Sequence, residues 1–494
     1  MIDPLLKNDR LPNIKKMIEH GVKAILHSTN PPVTCPAWPS FMTGKKPGNH
    51  GLFGFVDTAG GIASYEKIKG SSFWDKLQEK GIKSLVISVP VTYPPFIKKG
   101  IMISSILTPP NANYVYPPIL KEEIEKNVPG YTVGFNANLV SNLKNAKNFE
   151  KFLKMIEKRY EMYKYLSKKD NFEVKVIVFS ATDVICHMCW DDKEKIYEVY
   201  SKIDTILGDM LDKEKDANFL IVSDHGFGEA KRYIRINQYL EKKGFLNRKK
   251  GKVNHKYTLI RRKNKKRAII QECLNKILSK TGITKEFIYR NINKNAIKTI
   301  LRICPITPQQ IGKFIPASNK VIDYKNTTAF SKSTQSQSIT INATNPKEKE
   351  EIKKQLIKDL QQLKDPQTGK QVFRKILSKK EAYGKEDAAL PDLYLDTNEY
   401  IVSSIFGEDV FTDTDFNFGK HYSEGIFIAY GKDINNNTDL KELNITDIAP
   451  TILNFFEIQP AKTDGKIVNI FSKNSVLIKK EKDSITKNVT KLIL

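Results

Sequence analysis

Asp224 and His225 stand directly after the apolar run Phe219-Leu220-Ile221-Val222-Ser223. A buried strand ending in that pair delivers a carboxylate and an imidazole to the carboxyl edge of a sheet, where open α/β sheets place their chemistry. A second pair, Asp183 and His187, follows the apolar run Val174 to Ser180 at a spacing of four. One helical turn sets residues four apart on one face, so both can reach a single cation. His421 lies in the polar stretch Phe418 to Gly425, read as a loop leading into a strand that starts near Ile426. Thr34 stands two residues ahead of Pro36, whose ring suits the first turn of a helix. Its hydroxyl is expected just ahead of a helix N-terminus, as an N-cap, where free N–H groups and the dipole favour negative charge.

Each segment alone has an ordinary explanation: a turn with a hydrogen-bonded His, a capping Asp, an N-cap Thr, a solvated loop His. Together they supply two mixed nitrogen and oxygen sets. Asp183, His187 and His421 make one, and Thr34, Asp224 and His225 make the other. Imidazole plus carboxylate with open positions suits Zn²⁺, with Mn²⁺ or Fe²⁺ as alternatives. Two divalent cations about 4 Å apart clamp the attacking and leaving oxygens of an in-line displacement at phosphorus. In that arrangement Thr34 attacks, giving a covalent phospho-enzyme that water then hydrolyses.

The elements that must position these residues are legible as alternation. Apolar β-branched runs at Lys83 to Val89, Gly100 to Ile106, Val174 to Ser180 and Asn218 to Ser223 read as strands. Helical-period segments separate them, at Leu11 to His20, Phe149 to Ser167 and Asp192 to Leu211. Such alternation predicts an α/β fold with a mostly parallel central sheet flanked by helices. Further signals come at Lys320 to Ala343, Glu348 to Leu363 and Gly425 to Tyr430, and Thr446 is a plausible N-cap for a helix over Thr446 to Leu453. The expected division is a first part of the catalytic core over 1–240, an inserted basic helical cap over 241–318, a second part of the core over 319–475 and a charged, frayed tail over 476–494.

The order of motifs resembles the type I phosphodiesterase/nucleotide pyrophosphatase family of the alkaline phosphatase superfamily. The chain has Thr34-x-Pro36-Ala37-Trp38, then Thr43-Gly44-x-x-Pro47-Gly48-x-His50-Gly51, Asp183-x-x-x-His187, Asp224-His225-Gly226-Phe227-Gly228 and Gly419-x-His421. Asp447-Ile448-Ala449-Pro450-Thr451 and Asp464-Gly465 extend the likeness toward the end. The resemblance implies an alkaline-phosphatase-like fold and a metal-dependent phosphoric ester hydrolase. It implies Thr34 as nucleophile, Asp183, His187 and His421 on one zinc, and Asp224 and His225 on the other. Two departures accompany it. Members usually begin with a strand ending in Asp-Gly, whose Asp is a ligand of the second metal; this sequence opens at Asp3-Pro4-Leu5-Leu6, and Asp3 is not in the matching position. After His50-Gly51 comes Leu52-Phe53-Gly54-Phe55, without the Asn that contacts phosphate in nucleotide pyrophosphatases, which points away from nucleotide substrates. The alternative expectation is therefore a catalytically impaired member, or an anion-binding protein, lacking one ligand. Sulfatase cousins use Cys-x-Pro-x-Arg. Here Thr34 and Trp38 hold the Cys and Arg positions and Cys35 is out of register, which argues against that chemistry.

Composition bounds the partners and the compartment. Net charge is +26, and Glu241 to Arg302 concentrates it, with 20 Lys or Arg against 3 Glu. That stretch could contact nucleic acid or an anionic membrane surface. Without a nucleic-acid motif, a solvated surface steering a small anionic phosphate ester is the better reading. Five cysteines are few and odd in number, which argues against a disulfide framework and fits a reducing compartment. Cys186 and Cys189 are spaced C-x-x-C with no second pair at zinc-ribbon spacing, so buried thiols are expected there. No apolar run is long enough to span a bilayer and no signal pattern opens the sequence, giving a cytoplasmic expectation.

Overall fold

The computed structural model describes residues 2–55, 61–249, 322–332, 337–407, 409–460, 462–472 and 491–493, with the backbone alone for 415–418 and 491–493. Its contacts divide the chain into two units. One holds the described residues up to Gly228 and from His421 onward, the other those between. This differs from the sequence-based boundaries, which assigned residues from 319 onward to the catalytic core. The basic insertion expected over 241–318 lies outside the described residues beyond Lys249.

In chain order the strands are β1 (Val22–His27), β2 (Ser84–Ile87), β3 (Gly100–Ile103), β4 (Val115–Tyr116), β5 (Val174–Ile177) and β6 (Ala217–Val222). Then come β7 (Gly226–Arg235), β8 (Ala329–Phe330), β9 (Ser338–Ile341), β10 (Phe373–Ser378), β11 (Leu393–Thr397), β12 (Tyr400–Ser403) and β13 (Phe411–Tyr422). The last are β14 (Glu424–Tyr430), β15 (Glu442–Asn444) and β16 (Lys491–Ile493). The first unit is built on a nine-stranded sheet in the order β15-β1-β14-β6-β16-β5-β2-β3-β4. β16 runs parallel to both β5 and β6, and β5, β2 and β3 continue in parallel. β14 is antiparallel to both β1 and β6. The mostly parallel sheet read from the alternation is the one observed.

Why these runs are strands is visible in their burial. In β2, Leu85 and Ile87 join one apolar cluster and Val86 joins another on the opposite face. In β6, Phe219 and Leu220 divide the same way. A sheet buried on both faces needs continuous apolar runs rather than alternation with polar residues. The helices Ala146–Leu166 and Lys193–Lys213 contribute Phe152, Ile156, Ile196 and Val199 to the first cluster. The helices Thr34–Thr43, Phe73–Glu79 and Ile448–Phe455 contribute Phe41, Trp74 and Ile452 to the second. Asn145 and Asp192 cap the two long helices by accepting from Asn148 and Lys195 backbone N–H groups. The one charge on β5, Lys175, is buried and pairs with Glu214.

The second unit has a four-stranded sheet, β10-β11-β9-β8, and a three-stranded one, β12-β7-β13. Its core gathers Ile234, Ile339, Leu356, Leu360, Leu393 and Val402. The helix Pro346–Gln361 covers part of it and is capped by Asn345, whose side chain accepts from Lys347 and Glu348.

Three expectations need correction. Residues 418–422 are not a loop but the end of β13, because a strand tolerates polar residues where it is only partly buried. Thr446 does not cap the late helix; it sits in a 3₁₀ turn, Ile445–Asp447, and the helix begins at Ile448. Within the tail expected to fray, Lys491–Ile493 forms a strand in the middle of the main sheet.

Candidate functional site

β6 ends at Val222, and the chain continues through Ser223 into Asp224 and His225. Ser223 Oγ accepts the Ile426 N–H at 2.8 Å, tying this turn to β14. Ser28, just past β1, donates to the Asp224 carbonyl. Gly226 is required by close approach, since a Cβ there would lie 1.9 Å from the Glu424 carbonyl oxygen. β5 leads into the helix Ala181–Met188, which carries Asp183 and His187 one turn apart, with His187 Nε2 3.4 Å from Asp183 Oδ1. His421 arrives from the end of β13. Thr34 is the first residue of the helix Thr34–Thr43, with Val33 rather than Thr34 in the N-cap position. Its side chain hydrogen-bonds the Asp224 carboxylate.

All six residues picked from the sequence are therefore brought to one place. His421 Nε2 lies 3.1 Å from Asp183 Oδ1 and 2.8 Å from His187 Nε2. His225 Nε2 lies 3.7 Å from Asp183 Oδ1 and 3.4 Å from Asp224 Oδ2, and its ring stacks on His421 with centroids 3.6 Å apart. One ligand atom each from Asp183, His225 and His421 falls within 4.8 Å of the others. The two sets read from the sequence are contiguous, with His225 facing carboxylates of both.

The outer nitrogens fix the tautomers. His421 Nδ1 is 2.9 Å from the Pro32 carbonyl and His225 Nδ1 is 3.1 Å from the Gly226 carbonyl. A carbonyl only accepts, so each Nδ1 donates outward, and the His225 ring, held neutral, turns the lone pair of its Nε2 inward. The buried His225 Nε2 accepts no hydrogen bond. Burial, then His421, hold the His225 imidazolium form well below the ordinary range. Burial and the Asp183 carboxylate push the Asp224 carboxyl up to about 7, against the pull of His421 and the Thr34 hydrogen bond. Burial alone would raise Asp183, but His187 and His421 hold it well below its usual value. The Asp183 side chain is 33% exposed, so solvent reaches the cluster on that side.

Residues the sequence reading passed over frame the site. Phe227 packs edge-on against His187 and His421, with centroids 4.7 and 5.0 Å away, and stacks on Trp190. The Phe in Asp-His-Gly-Phe-Gly was the available signal. His50 is not a ligand: it is wholly buried, accepts the Leu52 N–H on Nδ1 and faces Ser40 Oγ at 3.0 Å with Nε2. Asp464 accepts from the Lys46 N–H and the Asn49 amide, and Asp447 from the Asn444 and Lys466 N–H groups, so both late motifs brace loops. Cys186 and Cys189 are buried thiols, pushed up by burial to about 12 and about 11.

A family model for type I phosphodiesterase / nucleotide pyrophosphatase matches residues 2–306. The chain belongs to this family. Membership makes it a hydrolase of phosphoric ester bonds with an alkaline-phosphatase-like α/β fold, in a family that is metal-dependent in general. No curated protein matches the sequence. Among solved structures, murine ectonucleotide pyrophosphatase / phosphodiesterase 5 is similar at 13% identity and a TM-score of 0.47, over 94% of this chain and 95% of that one. An inactive variant of the murine protein in complex with AMP matches at 13% and 0.46, over 92% of each chain. The human counterpart matches at 14% and 0.44, over 92% of each. Among the described residues of this family member, no helix is long and apolar enough to cross a membrane.

Proposed function

We propose that this chain hydrolyses a phosphodiester or phosphomonoester through a covalent phospho-threonine at Thr34, with two divalent cations, Zn²⁺ by first choice and Mn²⁺ or Fe²⁺ as alternatives. The observation that carries the reading is the convergence of the His225 and His421 Nε2 atoms with the Asp183 and Asp224 carboxylates, each ring held by its outward Nδ1–H bond. Such a donor set fits metal. Its acceptors oppose one another at short range, and an added divalent charge reverses the repulsion that lifts Asp224. Asp183, His187 and His421 would hold one ion, and Asp224, His225 and Thr34 the other. Bound there, the ions supply Lewis acidity toward phosphoryl oxygens.

The chain's own groups do the rest. Asp224 orients the Thr34 hydroxyl, and the dipole of the helix beginning at Thr34 favours anionic oxygens at its N-terminus. Thr34 Oγ1 bonds to phosphorus as the ester oxygen leaves as alcohol; water then attacks phosphorus and returns Thr34. The Pro32 and Gly226 carbonyls keep the imidazoles in the one tautomer that can ligate. Small anionic phosphate esters are the substrates that fit this chemistry. The described cysteines Cys35, Cys186 and Cys189 are buried thiols, which supports a reducing, cytoplasmic setting.

A second reading has one specific support. Asp3 lies in the helix Ile2–Lys7 and pairs with Lys23 at 3.0 Å, so it offers the cluster no further carboxylate. In that reading the protein binds one ion, or an anion, and turns over poorly. Hydrolysis of a chromogenic phosphodiester, with and without chelator and beside Thr34→Ala, separates them. Chelator-sensitive turnover lost in the variant supports the hydrolase, whereas metal-independent turnover or full activity in Thr34→Ala contradicts it.

A further inference from the structure

β5 and β6 carry the two ligand pairs, yet they do not pair with each other. Between them stands β16, only Lys491–Ile493. Its Leu492 is in register with Val174 of β5 on one side and Asn218 of β6 on the other. The opposite edges of both strands are fully laddered, β5 to β2 through Ile177 and β6 to β14 through Val222. On the inner edges the described ladders stop at Lys175 and Phe219, short of the ends that lead to Asp183 and Asp224. The hydrogen-bonded continuity of the sheet, and the spacing of its two ligand-bearing strands, thus pass through three residues. Two strand spacings separate β5 from β6 by about 10 Å, and without a strand there the inner edges would be open ladders.

We propose that Lys491–Ile493 is a keystone strand: its paired ladders hold the Asp183/His187 and Asp224/His225 pairs at the spacing that lets them share one site, and its release uncouples them. Three residues make few hydrogen bonds, so among the interior strands of the main sheet this is the shortest and the most easily displaced. Withdrawal of the strand would switch cation binding without any change in the ligands themselves. The cation-binding half of this claim rests on the metal reading above; the seating of the strand does not.

Amide hydrogen exchange by mass spectrometry on the full chain, with Leu492→Pro, tests it. Proline removes the N–H and is excluded from central strands. The expected result is exchange at least tenfold faster in peptides spanning Val174–Ile177 and Ala217–Val222, an unchanged β1–β14 ladder, and Zn²⁺ affinity at least tenfold weaker. Unchanged exchange in β5 and β6, or faster exchange with unchanged Zn²⁺ affinity, overturns the proposal. Should the variant unfold as a whole, the pair Leu492→Cys with Val174→Cys decides it. Under mild oxidation with diamide, an intramolecular 174–492 disulfide supports the seat, and no disulfide, or one between two copies, overturns it. If the unaltered protein binds no cation, the metal reading fails on its own, while exchange and cross-linking still report the strand.

Discussion

Two buried polar clusters in this molecule are built on opposite plans. In the second unit, Asp365 is fully buried and receives the Arg232 guanidinium, the Tyr400 hydroxyl at 3.0 Å and the Gln367 N–H at 2.9 Å, while Arg232 Nε also reaches Asp413 at 2.7 Å. Burial would raise the Asp365 carboxyl, but Arg232 and these donors hold it below its ordinary value. That cluster carries its own cation and is complete. In the first unit Asp183 and Asp224 face three imidazoles, two of which have committed their protons outward. Among the described residues, that cluster sets its carboxylates against imidazoles alone. A network satisfied by its own side chains is a structural device, and one that converges imidazoles and carboxylates has the donor set of a metal site.

The contrast can be attacked from both sides. Thr34→Ala should lower turnover by about 1,000-fold or more, the scale of losing an activated nucleophile, in a steady-state assay, with stability little changed. Asp365→Ala should do the reverse, costing about 2 kcal/mol in denaturant unfolding by removing the acceptor that Arg232, Tyr400 and Gln367 share, with Arg232 still paired to Asp413 and Zn²⁺ affinity unaltered. If Asp365→Ala weakened the ion and Asp183→Asn weakened only the fold, the assignments would have to be exchanged.

His50 gives a smaller and pH-dependent test. Burial lowers its pKa from 6.5 to about 3. The unfolded chain therefore takes up a proton that the folded protein refuses. Stability contributed by the neutral ring is full above about pH 6.5 and is lost as the pH falls toward about 3. Melting curves across that window should slope less in His50→Gln than in the unaltered protein; equal slopes would count against a neutral, buried His50. Smallest of all, Phe227→Leu removes an edge-on aromatic contact worth about 0.5–1.5 kcal/mol and should lower kcat less than about tenfold while Zn²⁺ stays bound. A loss as deep as that of Thr34→Ala would move Phe227 from packing into the chemistry.

How much of this could be read beforehand follows from the range of the interactions. Asp224 and His225 were legible because a strand with apolar contacts on both faces announces itself as Phe219-Leu220-Ile221-Val222, and its end is the site. Asp183 and His187 were legible because helical spacing is local. His421 was found by residue type, but its strand was missed, since polar Lys420 and Tyr422 mask a partly buried strand as a loop. Thr34 was displaced by one position relative to the helix start, a boundary no propensity fixes. The outward Nδ1 bonds to Pro32 and Gly226 depend on backbone carbonyls brought close by the fold and carry no mark in the sequence. Least legible was Lys491–Ile493: three residues in a charged stretch become a central strand only because β5 and β6 leave a parallel seat, an interaction separated by hundreds of positions.

The most direct test is a calorimetric titration of metal-free protein with Zn²⁺ beside Asp183→Asn and His225→Ala. The expected result is saturable binding of two equivalents by the unaltered chain, sharply weakened in both variants, with added stability of about 2.7 kcal/mol at a hundredfold excess over Kd. Absence of saturable binding of Zn²⁺, Mn²⁺ and Fe²⁺ to the unaltered chain, or equal binding by both variants, would contradict a metal centre at these residues.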